Sequence, residues 1–171
     1  MARPGASDAS GLRHFFILHL RAMADADRQL ARAFPRLMRG ARHPKVRKFC
    51  REGISYSRNR LDRLDKVFGI VGARPGFRHS TAMARLVRDA EAVQKEKPSA
   101  LRDTALIAAI QPISHHGRAG YSTLQLLASA LGETRAHGLL HRSFREKDEA
   151  AQEMNGLLRI TLLPQARRSR L

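Results

Sequence analysis

Few of the residues that carry chemistry in this 171-residue chain stand in a pattern that would let them act. The serines and histidines have no Gly-x-Ser-x-Gly context and no strand-to-helix turn to present a nucleophile. Gly72 to Gly76 lacks the Gly-Lys-Ser/Thr ending of a phosphate-cradling loop. Cys50 is the single cysteine, which excludes an internal disulfide and a cysteine-built zinc site. His115 and His116 are adjacent, so on a helix they project about 100° apart and at most one faces a core. Asp27 is different. It lies on a stripe that is otherwise apolar, where an ionised carboxylate needs a donor such as an arginine.

The elements that position these residues are helices. Phe16, Leu20, Met23, Asp27, Leu30, Phe34 and Leu37 step alternately by four and three, predicting a first helix from about Ser10 to Leu37, with Pro35 bending its last turn. Pro44 suits the first position of a second helix. Its stripe is Val46, Cys50, Gly53, Ser57, Leu61, Leu64, Phe68 and Val71, and Gly72 to Gly76 ends it. A short helix from Ser80 to about Glu96 shows Met83, Leu86, Val87 and Ala90 on one face, closed by Pro98, with Ser99 capping the next helix. That third long helix carries Ile107, Ile110, Ser114, Gly117, Tyr121, Leu124, Ala128 and Leu131 and stops at Gly132. The fourth runs from about Glu133 to Ile160 through Leu139, Leu140, Ser143, Glu146, Ala150, Met154 and Leu158. Residues 1–9 are expected to be a flexible N-terminus, 10–160 the helical domain, and 161–171 a basic flexible tail. Four long helices with a short one between the second and third predict an all-α fold, a ferritin-like antiparallel four-helix bundle.

Charge sets the other boundary. Thirty-two basic residues against fifteen acidic give a formal +17, with arginine preferred to lysine 26 to 6. Codon bias explains arginine over lysine but not the shortage of acids, so the excess points to DNA, RNA or an acidic protein partner. Arg167, Arg168 and Arg170 in the tail are the polyanion-binding candidates. Basic residues also recur along the helices, at Arg28, Arg32, Arg36, Arg39 and Arg42 and again at Arg51, Arg58 and Arg63, a general field without a base-reading element. No apolar run approaches the roughly 20 residues of a membrane span, and Met1 to Ser10 carries no secretory signal, so a cytoplasmic location is expected.

Several segments, in order, resemble the YciE/YciF group of ferritin-like bacterial stress proteins over roughly Leu12 to Leu158. They are Ala24-Asp-Ala-Asp-Arg-Gln-Leu30, Arg63-Leu-Asp-Lys-Val-Phe68, Leu106-Ile-Ala-Ala-Ile-Gln111, His115, Ala119-Gly-Tyr121 and Ala130-Leu-Gly132. The resemblance implies a di-metal carboxylate site on the inward seam, where two cations need about four carboxylates plus histidine. Here the first helix offers Asp27 in place of Glu, and the second has Gly53, Tyr56 and Ser57 where His-x-x-Glu-Thr is expected. The third reads Ser114-His-His-Gly117 in place of Glu-His-Tyr-Glu, and the fourth keeps Glu146, has Lys147 at the second acid, and offers Glu149 one turn on.

Asp27, Glu146, Glu149 and His115 are thus vestigial metal candidates, too few for two divalent ions, and the di-metal site is read as lost. Tyr56 is then expected to hydrogen-bond Asp27 across the space a metal would fill. Pro112, Gly117 and Gly120 weaken the third helix, at about 3 kcal/mol for the proline and roughly 1 kcal/mol for each glycine. The expectation is a stress-associated protein without catalytic residues or cofactor, acting by homo-oligomerisation, as a dimer, or by partner binding. Two alternatives stand beside it: sequence-independent polyanion binding, and a ferroxidase-like protein holding iron or manganese at low occupancy in a reduced site.

Overall fold

A computed structural model describes residues 6–93 and 101–168. The elements are α1 (Ala6–Gly40), α2 (Pro44–Ile70), α3 (Thr81–Ala92), α4 (Arg102–Ala130), α5 (Thr134–Gly156), a π-helical stretch (Leu157–Leu162) and α6 (Leu163–Arg168). Every apolar member of the first-helix stripe is buried, and so is Asp27. Pro44 does open α2, behind His43, whose Nδ1 accepts from the Lys45 amide at 3.2 Å. Gly72 and Gly132 close α2 and α4 with φ of +62° and +73°, a region that favours residues without a Cβ.

α1 packs chiefly on α2, and α4 on α5, while α1–α4 and α2–α5 contacts join the two hairpins. All four neighbouring pairs are antiparallel. One apolar cluster holds Leu30 to Leu37, Val46 to Cys50, Leu106 to Ile113 and Met154, and also α3 through Met83, Val87 and Ala90. The other holds Phe16 to Ala24, Leu64 to Val71, Tyr121 to Ala128 and Leu140. α2 ends in the second cluster and α4 begins in the first, so the connection carrying α3 returns along the length of the bundle. That single long crossover makes the topology ferritin-like.

Two buried carboxylates hold the connections. Asp25 of α1 accepts from the Ser80 amide at 2.9 Å and from Gln29 Nε2 at 2.6 Å, which ties the start of α3 to α1. Asp103 at the start of α4 accepts from the amides of Arg42 and His43, at 3.0 and 2.8 Å, and fixes the α1–α2 corner.

The structure departs from the sequence expectations in several places. α1 begins at Ala6 and runs past Pro35 to Gly40, and α4 runs through Pro112. α3 is shorter than expected, and Pro98, Ser99 and Arg170 lie outside the described residues. The segment after 160, expected to be flexible, is helical to Arg168 because Leu162 and Ala166, one turn apart, are both buried. The wider π turn precedes Pro164, which offers no N–H to the carbonyl one turn back. On α2 the inward position beside Ser57 falls on Arg60, with Leu61 only half-buried, and on α5 Lys147 is buried while Glu146 lies at the edge of the core.

Candidate functional site

Between the two apolar clusters lies a polar layer fed by all four long helices. α1 supplies Asp27, α2 Ser57, Arg60 and Arg63, α4 Ser114 and Tyr121, and α5 Ser143, Glu146 and Lys147. Arg60 Nε donates to Asp27 Oδ1 at 3.0 Å, and the Tyr121 hydroxyl donates to Asp27 Oδ2 at 2.5 Å. Lys147 Nζ stands 3.6 Å from Asp27 Oδ1. The rest of the Arg60 guanidinium reaches Ser57 Oγ at 3.0 Å and Glu146 Oε2 at 3.4 Å. Arg63 bonds Glu146 Oε1 and, at 2.8 Å, Ser143 Oγ. Ser114 Oγ donates to the Lys147 carbonyl at 3.1 Å.

Electrostatics follow from this geometry. Burial alone would raise the Asp27 carboxyl, but Arg60, Lys147 and the Tyr121 hydrogen bond outweigh it and hold its pKa below the ordinary value. Burial likewise disfavours the Arg60 cation, and Asp27 more than restores it. Burial and the Asp27 charge push the Tyr121 phenol well above its usual range. Lys147 goes the other way: burial, then the neighbouring Arg60 charge, bring it down to about 8 despite Asp27 and Glu146. Two carboxylates face three cations here, so the layer carries one excess positive charge while Lys147 is protonated.

The donor set does not fit a di-metal centre. Both inward carboxylates already serve Arg60, Arg63 or Lys147, and the guanidinium of Arg60 sits between them. Of the vestigial candidates, only Asp27 and Glu146 come together. His115 is exposed, and the Glu149 side chain, 64% exposed, pairs with Arg145 across the surface. Among the described residues no group of three His, Cys, Asp or Glu is placed to hold an ion. Three helical glycines, of which Gly53 and Gly117 stand where the resemblance places ligands, make room for other side chains. A Cβ on Gly117 would come 2.7 Å from Lys147 Cε, one on Gly53 would come 2.7 Å from the Phe34 ring, and one on Gly120 would strike Met23 Sδ. Ligand-bearing residues at 53 and 117 would therefore displace Phe34 and Lys147.

Two expectations need correction, and one residue was missed. Tyr56 is 43% exposed, and Tyr121 is the phenol on Asp27, since α4 rather than α2 brings a ring to that level. Arg63 belongs to the buried layer and not to the general basic field. Arg60 escapes notice in the sequence because it lies beside the apolar stripe. Its signal is the spacing 57, 60, 64, which continues the inward face as well as 57, 61, 64 does. Arg167 and Arg168 are exposed on α6.

Fold and site together define a ferritin-like helical bundle with a buried ion cluster at mid-height. A family described as a domain of unknown function, DUF892, matches residues 11–166. Protein YciF of Escherichia coli is 30% identical over 137 residues, covering 77% of this chain and 81% of that protein. The chain belongs to this YciE/YciF-like family. The crystal structure of the E. coli stress protein YciF superimposes with a TM-score of 0.83 at 28% identity, over 86% of this chain and 94% of that one. YcfI of Rhodopseudomonas palustris shares the fold, with a TM-score of 0.81 at 23% identity over 89% and 98% of the two chains. Among the described residues no helix is long and apolar enough to cross a membrane.

Two outcomes are expected from the charge arithmetic. Asp27→Leu leaves Arg60, Arg63 and Lys147 with Glu146 alone and should cost about 3–5 kcal/mol, whereas Asp27→Leu with Arg60→Met restores the original single excess positive charge and should recover most of that loss. Urea melts of both variants and of Arg60→Met measure the coupling, and purely additive effects would contradict the pairing. The second concerns pH. Lys147 is lowered from 10.5 to about 8, so between pH 8 and 10 the unfolded chain binds more protons and the folded state gains stability as pH rises. The stability of wild type minus that of Lys147→Met should therefore rise by roughly 2 kcal/mol over that window. Cys50, pushed up to about 12 by burial, and Tyr121 act in the opposite sense and cancel in the difference. A flat difference would show that Lys147 keeps its ordinary proton affinity.

Proposed function

We propose that this chain is a stress-associated, non-catalytic bundle that works by association, its central layer held by protein cations in place of metal ions. The observation that carries this reading is Arg60 lodged between Asp27 and Glu146, with Lys147 on the same Asp27 oxygen. Those cations neutralise the carboxylates that an iron or manganese pair would require, and they cannot leave without exposing buried charge. Relationship to the E. coli stress protein YciF supports the stress-associated part. Purified protein should contain far less than one iron or manganese per chain by elemental analysis and should not accelerate ferrous oxidation. Stoichiometric metal that disappears in Asp27→Asn would sink the proposal.

A second reading, contact with a polyanion, is favoured by where the unpaired cations fall. A groove of about 530 Å³ at the α1–α2 corner is lined by Arg42, Arg47, Lys48 and Arg51, of which Lys48 has a carboxylate partner, Glu52 at 2.9 Å. Lys66, Arg135 and Arg142 line another at the opposite end of α2. Arg159 and Arg167 line a third groove, beside α6. Duplex DNA should bind without sequence preference, and each neutralised phosphate should contribute about −0.9 to the slope of log affinity against log salt. The triple substitution Arg42, Arg47 and Arg51→Ser should flatten that slope by roughly two to three units on every sequence. Undetectable binding at low salt, or an unchanged slope, would exclude this surface.

A further inference from the structure

A cavity of about 50 Å³ opens between α2 and α5 and leads toward the ion cluster. Its walls are apolar, from Phe34, Phe49, Ile110 and Ile113. Arg60 and Lys147 also line it, both buried, the latter only 5% exposed. The rim carries Glu52, Glu149 and Glu153, of which Glu52 pairs with Lys48 and Glu149 with Arg145. Glu153 is raised by burial and then by Glu52, as expected of carboxylates crowded together.

The lysine lining this cavity is unlike the exposed ones. Its ε-ammonium can donate three hydrogen bonds, yet the Asp27 oxygen it pairs with is 3.6 Å away, beyond good hydrogen-bond length. Arg60 stands beside it, and a neighbouring guanidinium disfavours a second full positive charge. Desolvation in an apolar pocket next to another cation is the setting in which a lysine amine becomes a nucleophile. Gly117 leaves the space into which the side chain extends.

We propose that Lys147 is a reactive amine that condenses reversibly with short, neutral aldehydes entering through the cleft between α2 and α5. The lone pair of Nζ attacks the carbonyl carbon to give a carbinolamine. The C–O bond then breaks, the two amine hydrogens leave with that oxygen as water, and a C=N bond remains. No oxidant or reductant is consumed. When protonated, the imine keeps a positive charge beside Asp27, so the ion cluster retains its balance. Size and charge set the selectivity. A water needs roughly 10–15 Å³ of such space, so the cavity suits a group of roughly three or four heavy atoms. The apolar walls disfavour a phosphate or carboxylate, which would lose its water there.

The test uses the intact folded chain, propanal and borohydride, which fixes any imine as a propylamine. Peptide mapping after brief exposure at neutral pH should find Lys147 propylated about tenfold or more faster than the exposed Lys45 and Lys66. Pyridoxal 5′-phosphate under the same conditions should label the exposed lysines and spare Lys147. Propylation of Lys45 and Lys66 with Lys147 untouched would overturn the proposal, as would labelling of Lys147 only after urea is added. Equal labelling of Lys147 by the phosphorylated aldehyde would overturn the assigned selectivity.

Discussion

An ionised carboxylate in an apolar interior is tolerable only if the groups around it replace the water it has lost. Asp27 imposes that condition on four helices at once. Its two oxygens draw Arg60 from α2, Tyr121 from α4 and Lys147 from α5, and Arg60 in turn brings Glu146 and Ser57 into the same layer. Each of these groups is placed by its own helix, and none is satisfied without the others. The layer therefore fixes the register of the bundle in a way that the leucines above and below it do not. An apolar stripe tolerates a slide of one turn, but a bonded carboxylate does not.

The cluster also explains the small residues around it. Gly117 and Gly53 weaken their helices, and in return Lys147 and the Phe34 ring occupy the volume beside them. A di-metal centre brings positive charge as ions and negative charge as side chains. Here both signs are side chains, so the balance is built into the fold and cannot be lost to a chelator. The residual imbalance, three cations against two carboxylates, falls on Lys147, the one cation of the three that can release its proton near neutral pH.

Two further carboxylates act in the same way in the connections. Asp25 and Asp103 each accept backbone amides of a distant segment, which gives the crossover and the α1–α2 corner fixed anchor points. In a chain with fifteen acids, four of them, Asp25, Asp27, Asp103 and Glu146, bond groups on other elements in or near the interior. The surface is correspondingly depleted of negative charge, and part of its basic character comes from that placement.

Helical periodicity determined the four long helices, the inward stripes of α1 and α4 and most of that of α2, the glycine stops at 72 and 132, and the crossover topology, because an apolar face must be buried whatever lies opposite; on the last long helix only Leu140, Ser143 and Met154 of the expected stripe are buried, and Ala136, Lys147, Ala151 and Leu157 complete the inward face. It also marked Asp27 as an anomaly in need of an arginine. Which arginine, and which tyrosine, could not be read along the chain. Arg60 and Tyr121 lie 33 and 94 residues from Asp27, and only the packing of α2 and α4 against α1 brings them within bonding distance. Tyr56 stands nearer in sequence but points outward, since one residue of helical rotation separates it from Ser57, which is buried. The same rotation exchanged Glu146 for Lys147 on the inner face of α5. Periodicity places a residue on a face to within about 100°, while the identity of a buried partner depends on the last fraction of a turn, and that is set by tertiary packing.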